Sequence, residues 1–136
     1  MRKALAEAAR GDFPFGAVIV REGFVAAKGR NLTRTNNDPA AHGEMVAIRD
    51  FTAKCPAAEL FGATLYTTGE PCVMCMGAIL WCGIKRVVYA ASIEELAQKI
   101  GQIRLTSRAI ADAAPFADVM ITGGVLAREA LALFGK

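Results

Sequence analysis

A hairpin followed by regular alternation of strand-like and helix-like segments most restricts what this 136-residue chain can fold into. Gly16–Arg21 and Phe24–Lys28 are β-branched or apolar runs on either side of Glu22-Gly23, which suits a tight turn. Thr64–Thr68, Arg86–Ala90 and Asp118–Thr122 read as further strands. Between Ala41 and Phe51 the apolar residues Met45, Ile48 and Phe51 fall at helical spacing. Pro71 can begin a helix that continues through Val73–Cys82, apolar nearly all round and therefore expected to be buried. Residues 2–10, Ile93–Ile100 and Gly124–Leu133 supply the remaining helices, and Gly11–Pro14 and Asn31–Pro39 have loop composition. Residues 101–116 mix polar and apolar positions without a firm period. The expected product is one α/β domain over residues 1–136, a mixed sheet with helices on both faces.

Sixteen basic and thirteen acidic residues leave a net charge of +3, and the basic ones are scattered rather than gathered in a stripe. That balance does not call for nucleic acid as a partner, although it leaves one open. No apolar run reaches the ~18 residues of a membrane span, and Met1-Arg-Lys-Ala-Leu reads as an amphipathic helix rather than a targeting segment. The expected location is cytoplasmic, with no membrane association. In a reducing compartment the four cysteines, Cys55, Cys72, Cys75 and Cys82, are better explained by metal ligation than by disulfides.

Two short segments carry chemistry: His42-Gly43-Glu44 and Pro71-Cys72-Val73-Met74-Cys75. A Cys-x-x-Cys at a helix start aims both sulfurs at one point, and the positive end of the helix dipole favours their thiolate forms. The chain's single histidine can supply a third ligand, and zinc accepts this sulfur and imidazole set readily. Cys82 lies seven residues beyond Cys75, about two turns or ~10 Å further along the same helix, out of reach of a metal at its start. Cys55, which precedes Pro56, is also poorly placed. Three ligands, His42, Cys72 and Cys75, leave one open position, as catalytic zinc sites do. Glu44 can then take a proton from the attacking water, pass it to a ring nitrogen, and later protonate departing ammonia.

His-x-Glu followed by Pro-Cys-x-x-Cys resembles the signature of the cytidine-deaminase-like superfamily, and the likeness runs from Pro14-Phe15-Gly16-Ala17 through the last helix. The resemblance implies a three-layer α/β/α sandwich around a five-stranded mixed sheet, one catalytic zinc per chain and a homodimer. It assigns zinc to His42, Cys72 and Cys75, and the proton shuttle to Glu44. It also places Asn31, Ala41, Glu70, Trp81 and Phe15 about the substrate. Asn31 alternatively reads as a turn-capping loop residue, and Trp81, Phe13 and Phe15 suit either a pocket wall or plain core packing.

Asn37-Asp38-Pro39-Ala40-Ala41-His42 resembles the segment shared by bacterial guanine deaminases and tRNA adenosine deaminases, whereas His42-Gly43-Glu44 with Thr64–Thr68 resembles fungal cytosine deaminase. Where guanine deaminases usually carry an aspartate-containing stretch, this chain has Ile100-Gly101-Gln102-Ile103. It also lacks a basic C-terminal helix of the kind that grips an anticodon stem. The leading expectation is a hydrolytic deaminase of a free nucleobase or close analogue, of the guanine, cytosine, isocytosine or aminotriazine type. A tRNA adenosine deaminase and a catalytically silent zinc scaffold are the alternatives.

Overall fold

In the computed structural model, which describes residues 1–135, Glu22 and Gly23 both take positive φ, 51° and 80°. Two such residues in succession match the right-handed twist of the strands they join. They close the hairpin between β1 (Gly16–Arg21) and β2 (Phe24–Arg30). β1 also pairs antiparallel with β3 (Thr64–Gly69), bringing Ala17 opposite Thr67. β3, β4 (Arg86–Ala91) and β5 (Met120–Thr122) run parallel, giving the order β2-β1-β3-β4-β5. Parallel neighbours need crossovers, and helices supply them.

The sheet carries helices on both faces. Successive residues of a strand point to opposite sides. A methyl at Gly16 would fall on Ala4 and Ala8 of α1 (Arg2–Ala8). One at Gly29, the partner of Ala17, would instead fall on Gly43 and Ala47 of α2 (Gly43–Thr52). On the α2 side, Ala17, Ile19, Leu65 and Val87 share an apolar core with Ala47 and Phe51 of α2. Met76 and Ile79 of α3 (Val73–Cys82) complete it. A smaller cluster joins Ala90, Ala91 and Leu96 to Ala130 of α6 (Ala127–Ala132), with Leu5 and Phe15 packed against it.

Gly29 is therefore a spacing device. It lets α2 lie directly on β2, and α2 carries Glu44 with His42 as its N-cap. Gly29→Ala puts its methyl against the Gly43 carbonyl oxygen and the Ala47 nitrogen, backbone atoms that cannot swing aside. We expect a stability loss of about 1–3 kcal/mol, the usual range for overpacking, read as a lower denaturation midpoint at unchanged slope.

Several boundaries depart from the sequence reading. α1 ends at Ala8 and α2 begins at Gly43, with His42 as its N-cap. The helix expected over Ile93–Ile100 stops at Leu96 (α4, Ile93–Leu96), started by a capping box between Ser92 and Glu95. Inside the segment without a period lies α5 (Ser107–Asp112), capped by the Thr106 hydroxyl. Its buried residues are Ser107 and Ala111, too small to leave a hydrophobic stripe. β5 is limited to Met120–Thr122, and α6 begins only after Leu126, whose φ is +59°.

α3 is not buried all round. Cys75, Met76, Ile79 and Leu80 face inward, but Trp81 is 79 % exposed and stacks on Phe116, ring centroids 4.8 Å apart. The helix ends at Gly83, whose φ of +74° is the left-handed C-cap. No described helix is long and apolar enough to cross a membrane.

Candidate active site

Two helix N-termini converge on one point. His42 is the N-cap of α2, and Cys72, directly after Pro71, is the N-cap of α3 with Cys75 in its first turn. Both N-caps have extended backbone, and neither uses its side chain to cap, which leaves imidazole and thiol free. His42 Nδ1 stands 3.6 Å from Cys72 Sγ and 3.6 Å from Cys75 Sγ. All three ligand atoms lie within 4.8 Å of one another, the one such cluster among the described residues.

These separations test the fit of a metal. A tetrahedral zinc with Zn–N near 2.0–2.1 Å and Zn–S near 2.3 Å holds nitrogen and sulfur about 3.6 Å apart. The side chains already stand at that spacing. Cys55 and Cys82 lie elsewhere, packed against the apolar core, so neither adds a fourth protein ligand.

The electrostatics favour a cation. Cys72 is held down to about 4, chiefly by a hydrogen bond from the Cys75 thiol and further by His42. Cys75 keeps the proton it donates and is pushed up. His42 is raised by its bond to Cys72. A cation bound by both sulfurs would take them as thiolates and so displace the Cys75 proton.

Glu44, in the first turn of α2, is 5 % exposed yet borders a cavity of about 430 Å³ that also reaches His42 and Cys72. Burial pushes its carboxyl up to about 7. A group poised there suits proton transfer in both directions near neutral pH. Phe13, Phe15, Pro39, Leu96, Ile100 and Ile103 give the cavity apolar walls, and no lysine or arginine among the described residues lines it.

The remaining residues singled out from sequence divide. Asn31 is buried at the cavity, its Oδ1 accepting from Thr33 N at 3.1 Å and Thr33 Oγ1 at 2.8 Å. Its Nδ2 has no acceptor among the described residues and is available to a ligand. Phe15 and Phe13 both border the cavity, and Phe15 meets Phe134 edge-on at 5.3 Å.

Three more residues that the resemblance places about the substrate have the following surroundings. Trp81 lies six residues beyond Cys75 and projects to the outer surface, away from the cavity. Ala41 is fully buried outside the lining, its N–H donating to Asp38 O and its carbonyl accepting from Leu32 N, both at 3.0 Å. Glu70 borders the cavity, but protein donors fill its carboxylate: Ile93 N at 2.9 Å, Ser107 N at 2.8 Å and Ser107 Oγ at 2.7 Å. Thr33, Met74 and Leu96 were not foreseen as lining residues. Only Met74, lying between the two cysteines, had a signal in its position.

Residues 1–91 match the family described as the cytidine and deoxycytidylate deaminase zinc-binding region, a stretch that contains His42, Glu44, Cys72 and Cys75. The guanine deaminase of Bacillus subtilis (strain 168) is 48 % identical over 85 residues, 62 % of this chain and 54 % of that enzyme. The tRNA-specific adenosine deaminase of Haemophilus influenzae is 39 % identical over 122 residues, 89 % of this chain and 68 % of that enzyme. Among solved structures, the guanine deaminase from Nitrosomonas europaea superimposes with a TM-score of 0.82 at 27 % identity, covering 98 % of this chain and 78 % of that one. A structure from work on A-to-I editing by tRNA:A34 deaminases gives 0.77 at 34 % identity, covering 98 % of this chain and 96 % of that one. With its sheet order, its His–Cys–Cys cluster and this match over two-thirds of its length, the chain belongs to the cytidine and deoxycytidylate deaminase zinc-binding family.

Proposed function

We propose that this protein is a zinc-dependent hydrolytic deaminase of a free nucleobase or close analogue, converting a ring C–NH₂ and water to C=O and ammonia. The observation that carries the reading is a buried carboxyl, Glu44, beside a His–Cys–Cys cluster at a cavity that no lysine or arginine among the described residues lines. A neutral ring needs no such partner, whereas a phosphate held inside would be left without one.

Zinc on His42, Cys72 and Cys75 would supply the electrophile that makes water nucleophilic near neutral pH. Glu44 takes the proton that water gives up and delivers it to the ring nitrogen next to the attacked carbon. The Glu44 carboxylate then takes the remaining proton of the added hydroxyl and gives it to the exocyclic nitrogen; the C–N bond breaks, ammonia departs and the oxygen is left as C=O. Asn31 Nδ2 donates to a ring acceptor and fixes the orientation, while Phe13, Phe15 and Leu96 keep bulk water off the ring. Asn31→Ala is expected to raise KM about 3- to 15-fold with little change in kcat, the worth of one hydrogen bond.

The tRNA adenosine deaminase reading keeps specific support, a relative at 39 % identity over 89 % of the chain and a solved structure at 34 % identity over 98 % of it. Ammonia release from guanine, cytosine, isocytosine, adenine, ammeline, cytidine and an anticodon stem-loop decides between them. Turnover of a free base that is abolished in Glu44→Ala supports the proposal; turnover of the stem-loop alone replaces it with RNA editing. Silence on every substrate with zinc bound favours a scaffold. A homodimer belongs to the same proposal, supported by the exposed apolar pair Trp81 and Phe116.

A further inference from the structure

Glu70 sits between the end of β3 and the Pro71-Cys72 turn, and its side chain is otherwise unused by the chemistry above. It is 7 % exposed. Its two oxygens receive three donors, the amide of Ile93 on one and the amide and hydroxyl of Ser107 on the other. Those donors stand at the first residues of α4 and α5. They bracket the stretch that carries Leu96, Ile100, Gln102 and Ile103 along the cavity wall.

That stretch has little else to hold it. Residues 97–106 belong to no regular helix or strand. Among the described residues their backbone amides bond only to near neighbours: Ala97 to Ile93, Gln98 to Glu95, Lys99 and Ile100 to Leu96, Leu105 to Ile103. Nothing in that pattern sets where the wall stands relative to the metal cluster. Glu70 does, because its own amide is tied to the Ala91 carbonyl at 2.7 Å and the next two residues are Pro71 and the ligand Cys72.

We propose that Glu70 is a positioning residue, a buried carboxylate clasp that holds the 97–106 wall, and Gln102 with it, against the ring site. Gln102 is the one polar side chain this wall contributes to the cavity. Its amide offers both a donor and an acceptor, so it suits a ring edge with a carbonyl or ring nitrogen beside an N–H. The clasp requires a carboxylate. All three partners donate, and an amide would turn its NH₂ toward an N–H.

The kinetic half of the test rests on the deaminase reading; the exchange half does not. Wild type, Glu70→Gln and Ser107→Ala are compared as zinc-loaded full-length protein. In Glu70→Gln, amide hydrogen exchange across 97–106 should quicken about tenfold, while the amides of α2 and α3 and the zinc stoichiometry stay as in wild type. KM for whichever ring is turned over should rise about tenfold or more with kcat within about threefold. Ser107→Ala removes one of the three bonds and should move both readouts the same way by less, so the clasp remains testable if Glu70→Gln fails to fold. Unchanged exchange in 97–106, or a fall in kcat and zinc content at unchanged KM, overturns the clasp. Absence of turnover by the wild type overturns the deaminase reading instead, with exchange still judging Glu70.

Discussion

Glu44→Gln should lower kcat by about 10²- to 10⁴-fold while leaving zinc content unchanged and ligand affinity within about tenfold. The substitution is nearly isosteric, and Glu44 is buried at the start of α2, so the helix and the neighbouring His42 have no reason to move. What is lost is the capacity to hold a proton. An amide cannot accept one from water and return it to a leaving amine. A single carboxylate is asked to perform both transfers, so the loss should lie toward the upper end of that range. Steady-state ammonia release and metal analysis on the same preparation check it. A variant within tenfold of wild type would show that another group moves the protons, and the mechanism would have to be rebuilt around it.

The clustering of His42, Cys72 and Cys75 was legible because its signal is local. His42-Gly43-Glu44 and Pro71-Cys72-x-x-Cys75 are each short, so spacing alone orients them, and the ligand atoms of His42, Cys72 and Cys75 lie within 4.8 Å of one another. The strands were legible for a similar reason, since β-branched runs bounded by turns need no partner to be recognised. What spacing alone could not show is set by tertiary partners. Trp81, on an all-apolar helix, suits a pocket wall or core packing equally, because apolarity cannot say which side meets the sheet; it is exposed. Glu70 looked like a substrate ligand. Its actual partners, Ile93 and Ser107, are 23 and 37 residues away in a stretch whose helix buries only Ser107 and Ala111. A clasp of that kind leaves no periodic trace. Phe15 was undecided between pocket and core, and it serves both, facing the cavity and meeting Phe134.

Removing zinc should cost stability as well as activity. The ligand atoms come from the starts of two helices that are otherwise joined through the apolar core, so a bound ion adds a cross-link between α2 and α3. Any ligand that binds only the folded state stabilises it by mass action, by about 4 kcal/mol when free metal is a thousand times its Kd. For a chain of 136 residues with an unfolding entropy of roughly 2.1 cal/mol/K per residue, that corresponds to a Tm lowered by about 12–16 °C on chelation. Cys75→Ala should show the same drop without chelator and no further drop with it, because the site is already broken. Chelation of Cys82→Ala, by contrast, should still lower Tm, since Cys82 packs against the core and takes no part in the cluster. Equal insensitivity of wild type and Cys75→Ala to chelator would mean that these side chains hold no ion in solution. Their 3.6 Å spacing would then reflect hydrogen bonding between thiol and imidazole alone.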